Sequence, residues 1–320
     1  MPAAWLFEPG DPRRRPTTMT YRPKLGIALG SGSARGWAHI GVLRALTEQG
    51  IAPDFVAGCS MGAMVGAAFA AGRIEQLETW ALSLDWKRVV GLADVGLRGG
   101  LFKGNRLLNL YQGQFVQCPF SELSVPFAAV ATDLVTGQEV WLRDGDVSDA
   151  VRASCTVPGL FRPVLREGRY LVDGSVVNPI PVSLCRAMGA QVVIAVDLGS
   201  HRARRFPLDS RQASKSPRRR FFDILGSSPR PEVRPLPSIT DTLLGAIDIM
   251  QERIAEARLV RESPEVVLTP SLGQFGPFEY HRAALSIAAG REAVAKRLPA
   301  IQKALATAPV FIPPAPMKSK

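Results

Sequence analysis

A serine between two glycines could act as a nucleophile in the run Gly58-Cys59-Ser60-Met61-Gly62. The run follows a short apolar segment, residues 54–57, and precedes an alanine- and glycine-rich segment, residues 63–71. This pattern is typical of a strand that leads into a helix. At such a turn the serine hydroxyl is exposed on a sharp elbow, and small neighbours leave room for a substrate. Because Gly-x-Ser-x-Gly also occurs by chance, the run alone is compatible with a plain tight turn.

A second loop of small residues lies one predicted strand and helix upstream, in the run Gly30-Ser31-Gly32-Ser33-Ala34-Arg35-Gly36. It follows the apolar residues 25–29 and leads into a helical pattern from Trp37. Backbone N–H groups of such a loop are available to bind an anion. A dinucleotide-binding loop is the competing interpretation, but its ribose-binding acid belongs at the end of the second strand, whereas Asp54 begins that strand. The two motifs together predict an anion-binding loop beside a nucleophile.

A serine nucleophile needs a base, and the chain offers three histidines, His39, His201 and His281, as well as carboxylates. Only His281 would give the chain order serine, acid, histidine of an α/β-hydrolase triad. In that fold several strands precede the nucleophile, whereas a single strand precedes the serine strand here. Asp173 ends a short apolar run, residues 170–172, where an α/β sheet carries its site groups. Contact and desolvation would have to raise the basicity of this carboxylate, and a plain Asp-Gly turn is the alternative.

The elements that would position these residues alternate between strand and helix patterns along the chain. Strands are predicted at residues 25–29, 55–57, 127–132, 139–142, 169–172, 191–196 and 266–268. Helices are predicted at residues 38–49, 63–71, 74–83, 105–116, 181–188, 238–261 and 282–298. Such alternation predicts a mostly parallel central sheet with helices on both faces, a three-layer α/β/α fold.

The net charge of +11 is concentrated in two segments. Residues 201–235 carry a net +7 and residues 1–24 a net +3, which leaves the rest of the chain nearly neutral. Basic segments favour anionic partners such as a phospholipid membrane surface, although a solvated loop without a partner fits the same composition. No nucleic-acid-binding motif accompanies the arginines, so we expect no nucleic-acid partner. The sequence does not indicate an oligomeric state.

Composition also divides the chain into segments. We expect a disordered basic extension at residues 1–23, one large domain at residues 24–299 with a mobile Arg/Pro-rich insert at about 200–237, and a C-terminal tail at residues 300–320. The four cysteines are widely spaced, as is usual for free thiols in a reducing compartment. The arginines near the start are not followed by the apolar core of a signal peptide. Both observations favour a cytoplasmic location. Contact with the inner membrane surface through the basic segments is part of the same expectation.

The combination and order of the motifs resemble the patatin-like phospholipase family, in a bacterial form similar to the neuropathy-target-esterase branch. The resemblance covers about residues 24–298, apart from the arginine-rich insert. It is carried by residues 29–36, His39-Ile40-Gly41-Val42-Leu43, Gly58-Cys59-Ser60-Met61-Gly62, Pro158-Gly159-Leu160-Phe161, Val172-Asp173-Gly174 and Asn178-Pro179.

The resemblance implies a serine lipid acyl hydrolase that cleaves carboxylic ester bonds of phospholipids or lysophospholipids through an acyl-enzyme, without cofactor or metal. Ser60 would be the nucleophile and Asp173 the base, in a dyad without histidine. The oxyanion hole would be formed by backbone N–H groups at Gly32 and Ser33, with Ser31 beside them. The supporting motif residues would be Gly30, Arg35, Gly36, Gly58, Gly62 and Gly174. A regulatory protein that kept the fold but lost turnover, and an esterase with His281 as its base, are the alternatives.

Overall fold

The fold is that of a computed structural model, which describes residues 22–85, 87, 111, 114–199, 239–272, 275–276 and 278–308. The strands are β1 (Leu25–Leu29), β2 (Phe55–Cys59), β3 (Phe127–Asp133), β4 (Glu139–Leu142), β5 (Val164–Arg166), β6 (Arg169–Asp173), β7 (Val192–Val196) and β8 (Val266–Leu268). The helices are α1 (Ala38–Glu48), α2 (Met61–Ala70), α3 (Ile74–Leu82), α4 (Val147–Ser154), α5 (Val182–Ala187), α6 (Ile239–Glu262) and α7 (Ala283–Thr307).

The strands form one mixed, mostly parallel sheet in the order β5-β6-β3-β2-β1-β7-β8, with β4 also paired to β3. From β3 to β8 in this order, each strand runs parallel to its neighbour. Strands β4 and β6 pair antiparallel with β3, and β5 pairs antiparallel with β6. The mostly parallel sheet expected from the sequence is therefore confirmed, with an antiparallel part at one edge.

Alternate residues of the central strands face opposite sides of the sheet. On one side, Ile27 and Leu29 belong to a core that includes residues of α1, α2, α4 and α7. On the other side, the small residues Ala28 and Ala57 pack with residues of α5 and α6. Helices on both sides complete the three-layer α/β/α fold that the sequence predicts.

Helices α1 and α7 cross at a contact that only glycine allows. A Cβ atom on Gly290 would lie 2.0 Å from the carbonyl oxygen of Ala38, and one on Gly41 would lie 1.9 Å from that of Ile287. Real Cβ atoms do not approach backbone this closely, so a side chain at either position would push the helices apart. The crossing joins α7 to the helix that follows the small-residue loop.

The last helix extends beyond its expected end at residue 298. Helix α7 continues through Pro299 to Thr307. Proline costs a helix one hydrogen bond, but Ile301 beyond it is fully buried. Burial of this side chain contributes about 1.5–3 kcal/mol, which offsets much of the cost of the proline.

Helix α4 and the short strand β5 were not predicted from the sequence. Helix α4 begins after Asp146, whose carboxylate accepts the backbone N–H groups of Ser148 and Asp149, as N-cap residues do. Most of the helix predicted at 105–116, the extension at 1–21, the insert at 200–237 and the chain beyond residue 308 lie outside the described residues. Across the described part of the chain, no helix has the length and apolar character needed to cross a membrane.

Candidate active site

Ser60 occupies the elbow between β2 and α2. Its φ of 55° and ψ of −123° are unusual for a residue with a side chain. Its carbonyl oxygen accepts the N–H groups of Ala63 (2.8 Å) and Met64 (3.1 Å), and its own N–H donates to Oγ of Ser154 at 3.0 Å. Only 8% of the residue is exposed, so Ser60 is held in one strained and largely enclosed position.

Close backbone contacts explain the glycines of both motifs. A Cβ atom on Gly62 would lie 2.1 Å from the carbonyl oxygen of Leu29, so α2 begins directly against the end of β1. A Cβ atom on Gly36 would lie 2.3 Å from Cβ of Met61. Contacts that are also too close for a Cβ atom surround Gly30, Gly58 and Gly174. Gly36 and Gly62 therefore let the serine elbow and the small-residue loop lie in direct contact.

The small-residue loop offers fewer backbone donors than the sequence suggests. The N–H of Ser31 donates to the carbonyl oxygen of Pro179 at 2.9 Å, so this amide is already engaged. The N–H of Gly32 has no acceptor among the described residues. Ser33 has a φ of 50°, and its Oγ lies 3.2 Å from Oη of Tyr280. Of the three expected oxyanion-hole residues, Ser31 therefore has its amide engaged within the protein.

Arg35 stabilises this loop from within the protein. Its side chain is buried, and its Nε donates to the carbonyl oxygen of Gly32 at 3.3 Å. A guanidinium nitrogen lies 3.9 Å from the carboxylate of Asp248 on α6. The backbone carbonyl of Arg35 accepts the hydroxyl of Ser286 on α7 at 2.9 Å. The arginine therefore connects the loop to both long helices.

Asp173 ends β6 and is fully buried. Its Oδ1 atom accepts the N–H of Ser175 at 2.9 Å and is 3.9 Å from Sγ of Cys59. Its backbone N–H donates to Thr156, and its carbonyl oxygen accepts the hydroxyl of Thr132. The Oδ2 atom has no hydrogen-bond partner within the described structure. These hydrogen bonds fix the position of Asp173, while its buried Oδ2 atom is left without a hydrogen-bond partner in the described structure.

The register of β3 brings Asp173 and Ser60 to the same level of the sheet. Cys59 lies opposite Val130 on β3, and Asp173 lies opposite the next residue, Ala131. The sequence predicted Asp173 at the carboxyl end of a strand, where an α/β sheet carries its site. Asp173 does end a strand. That strand, β6, is however not one of the parallel strands, because it runs antiparallel to β3.

The side chains of Asp173 and Ser60 also interact electrostatically. Burial raises the pKa of Asp173, while hydrogen bonds from Ser175 and then the Ser60 hydroxyl and the Cys59 thiol lower it. The Ser60 hydroxyl therefore lies beside the carboxylate, although neither carboxylate oxygen makes a hydrogen bond of standard geometry to it. Because burial dominates, this carboxylate is a stronger base than an aspartate in water.

The described histidines do not reach Ser60. His39 is fully buried with Nε2 2.7 Å from the carbonyl oxygen of Gly30, to which it donates. Burial lowers the pKa of His39 from 6.5 to about 4, with the bond to Gly30 opposing the shift. His281 is exposed and makes no hydrogen bond to Ser60 or to Asp173. His201 lies outside the described residues.

Two residues next to the site, Ser154 and Tyr280, were not predicted from the sequence. Ser154, at the end of the unpredicted helix α4, binds the Ser60 N–H. Tyr280, near the start of α7, contacts Ser33, and burial, with a smaller contribution from the charge of Asp173, raises the pKa of its phenol. Neither residue belongs to a motif, so only their tertiary contacts reveal them.

The chain is similar in sequence to several known proteins. An uncharacterised NTE family protein of Mycobacterium tuberculosis is 38% identical over 182 residues, which cover 57% of this chain and 51% of that protein. An uncharacterised NTE family protein of Mycobacterium bovis is 32% identical over 297 residues, 86% of this chain and 46% of the relative. Mouse patatin-like phospholipase domain-containing protein 6 is 34% identical over 183 residues, 55% of this chain and 14% of the mouse protein. The chain thus spans about half the length of its mycobacterial relatives.

A family match covers the elements that build the site. Residues 27–186 match the patatin family, described as patatin-like phospholipase. This region is half of the chain and runs from β1, through the loop and the Ser60 elbow, to Asp173 and helix α5. On the strength of that match, the chain belongs to the patatin-like phospholipase family.

Proposed function

We propose that the chain hydrolyses carboxylic ester bonds of phospholipids or lysophospholipids, with Ser60 as the nucleophile and Asp173 as its base. The observation that carries the proposal is the buried Asp173, whose carboxylate lies beside the hydroxyl of the strained Ser60 and whose Oδ2 atom lacks a hydrogen-bond partner in the described structure. Unpaired buried groups and strained backbone both cost stability, and both cluster at functional sites. Family membership supports a lipid ester as the substrate class.

In the acylation step, Oγ of Ser60 attacks the carbonyl carbon of the ester while its proton moves to Oδ2 of Asp173. The carbonyl oxygen becomes an oxyanion, and the proposed donors are the backbone N–H groups of Gly32 and Ser33. Preorganised donors of this kind stabilise the developing charge. The intermediate then breaks its bond to the alcohol, which leaves with the proton held by Asp173.

In the deacylation step, water attacks the acyl group on Ser60 and passes a proton to Asp173. The bond between Ser60 and the acyl carbon breaks, the serine regains its proton from Asp173, and the fatty acid leaves. Asp173 therefore acts as base and acid in both halves of the reaction. The exposed His281 has no part in either step.

The decisive experiment is hydrolysis of a short-chain chromogenic ester and of phospholipid vesicles by wild type, Ser60→Ala and Asp173→Asn. Ser60→Ala, which cannot form the acyl-enzyme, should lose turnover, and Asp173→Asn should lose about 10²- to 10⁴-fold in kcat, the usual contribution of a proton-transfer group. Ser83→Ala, at an exposed serine after α3, is the matched control and should equal wild type. A folded wild type that is inert on both substrates would instead favour a regulatory protein that kept the fold.

The proposal extends to the membrane surface through the basic segments 1–24 and 201–235, because they carry nearly all of the net charge. Co-sedimentation with anionic vesicles should fall when residues 201–235 are deleted, and it should fall for wild type in high salt. Neutral vesicles are the control. Equal binding of the deletion variant and wild type would remove the insert from the proposal.

A further inference from the structure

Ser33 and Tyr280 form a hydroxyl pair at the edge of the candidate site. Oγ of Ser33 and Oη of Tyr280 are 3.2 Å apart, although the two residues are distant in the sequence. The φ of Ser33 is 50°, a left-handed conformation that strains residues with a side chain. The pair therefore connects a strained residue of the loop after β1 to the segment directly before α7.

Tyr280 is held in place without help from Ser33. Its carbonyl oxygen accepts the indole N–H of Trp37 at 3.2 Å. Its ring packs edge-on against the Trp37 ring, with the centroids 6.1 Å apart, and Trp37 is itself buried in the core. A rigid support thus presents the phenol to Ser33, and removal of the phenol oxygen alone would leave that support intact.

The phenol lies near the catalytic candidates but does not touch them. Burial raises the pKa of Tyr280, the bond to Ser33 lowers it, and the charges of Cys155 and Asp173 raise it again. The phenol therefore stays protonated at neutral pH. Within the described structure it makes no hydrogen bond to Ser60 or Asp173, so its route to the site runs through Ser33.

We infer that Tyr280 is a positioning residue of the candidate active site, which holds Gly32 and Ser33 in the orientation that binds the oxyanion. The inference rests on the proposed function. Donors stabilise an oxyanion most when they are fixed before the charge develops, because reorientation during the reaction costs free energy. The hydroxyl pair is one of the contacts that hold the loop, and its removal would fix the loop's donors less firmly before the charge develops.

The test uses Tyr280→Phe, Ser33→Ala and the double variant of the full chain, with kcat and KM measured on the short-chain ester. We expect kcat to fall about three- to tenfold in each single variant, the effect of one neutral hydrogen bond. KM and Tm should change little in Tyr280→Phe, because its ring packing remains. The double variant should fall no further than Ser33→Ala, since both changes remove one interaction.

Two further variants separate positioning from a general effect on the fold. Ser33→Gly, which adopts a positive φ without strain, should keep more of kcat than Ser33→Ala. Tyr170→Phe, at an exposed tyrosine on β6, is the matched control and should equal wild type.

The outcomes distinguish this inference from the proposed function. If wild type is active and Tyr280→Phe has the same kcat, the inference alone is overturned. The same holds if the losses in kcat add in the double variant, or if the variants lower Tm but not kcat. A wild type that neither turns over esters nor is labelled at Ser60 by a fluorophosphonate overturns the proposed function, and this inference with it.

Discussion

Asp173→Asn is expected to lower kcat about 10²- to 10⁴-fold and, at neutral pH, to stabilise the fold. Burial raises the pKa of Asp173 above its ordinary value of 3.8. Between pH 3.8 and the folded pKa, the folded state binds more protons than the unfolded state. The free energy of unfolding therefore falls as the pH rises through this interval and stays lower above it. Asparagine is neutral at every pH, so the free energy of unfolding of the variant does not fall in this way.

The size of the effect follows from the environment of the carboxylate. Each unit by which the pKa is raised corresponds to about 1.4 kcal/mol. Against this gain, the asparagine Nδ2 replaces Oδ2 at a position without a partner in the described structure, and an unpaired buried amide costs about 1–3 kcal/mol. The wild-type oxygen lacks a partner too, so part of that cost is common to both proteins. We expect a net gain on the order of 1 kcal/mol at pH 8, or roughly 1–2 °C in Tm for a chain of 320 residues.

The assay is thermal unfolding of wild type and Asp173→Asn from pH 4 to pH 8, with ester hydrolysis measured in parallel. The difference in Tm should be small at pH 4 and increase towards pH 8. Asp133→Asn is the matched control of opposite sign, because the N–H groups of Val135 and Thr136 lower the pKa of Asp133. It should destabilise the protein at neutral pH. A difference that is constant with pH, a lower Tm for Asp173→Asn at pH 8, or retained turnover would refute the reasoning.

Three further changes test other parts of the structure. Because burial lowers the pKa of His39 from 6.5 to about 4, its contribution of about 3 kcal/mol is complete above pH 6.5 and is lost as the pH falls to 4. Urea unfolding of His39→Gln, which keeps a donor for Gly30, should therefore depend less on pH in this range; an equally steep dependence would contradict it. Gly290→Ala, whose Cβ would lie 2.0 Å from the Ala38 carbonyl oxygen, should cost about 1–3 kcal/mol in urea unfolding, and an unchanged midpoint would argue against the tight crossing. His281→Ala should retain kcat on the short-chain ester, whereas a hundredfold loss would favour a histidine triad.

Residues whose roles depend on local structure were predictable from the sequence. The strand, turn and helix around Ser60 follow from an apolar run, two glycines and an alanine-rich run, because an elbow needs small residues on both sides. The loop after β1 follows from the same kind of pattern. The alternation of strands and helices likewise indicated the mostly parallel sheet and both helical layers, since the period of the apolar residues reflects local geometry.

Helix boundaries and missing elements show where local patterns are insufficient. The last helix was expected to end at residue 298, but α7 continues through Pro299 to Thr307 with Ile301 buried. Helix α4 is short, and its local signal, the Asp146 N-cap, was missed, although its Ser154 hydroxyl binds the N–H of Ser60. In α7, contacts with distant parts of the chain outweigh the local propensity.

The sequence by itself determined the nucleophile candidate, its elbow, the small-residue loop and the family, because these depend on residue types at short spacing. Only the tertiary structure decided which groups surround the serine. The antiparallel β6 brings Asp173 to the level of Ser60. The carbonyl oxygen of Pro179 accepts the N–H of Ser31, and the hydroxyl of Tyr280 lies within hydrogen-bond distance of that of Ser33. The physical reason is that burial and hydrogen bonding between residues far apart in the chain depend on how the strands pair and the helices pack, which short spacing does not record.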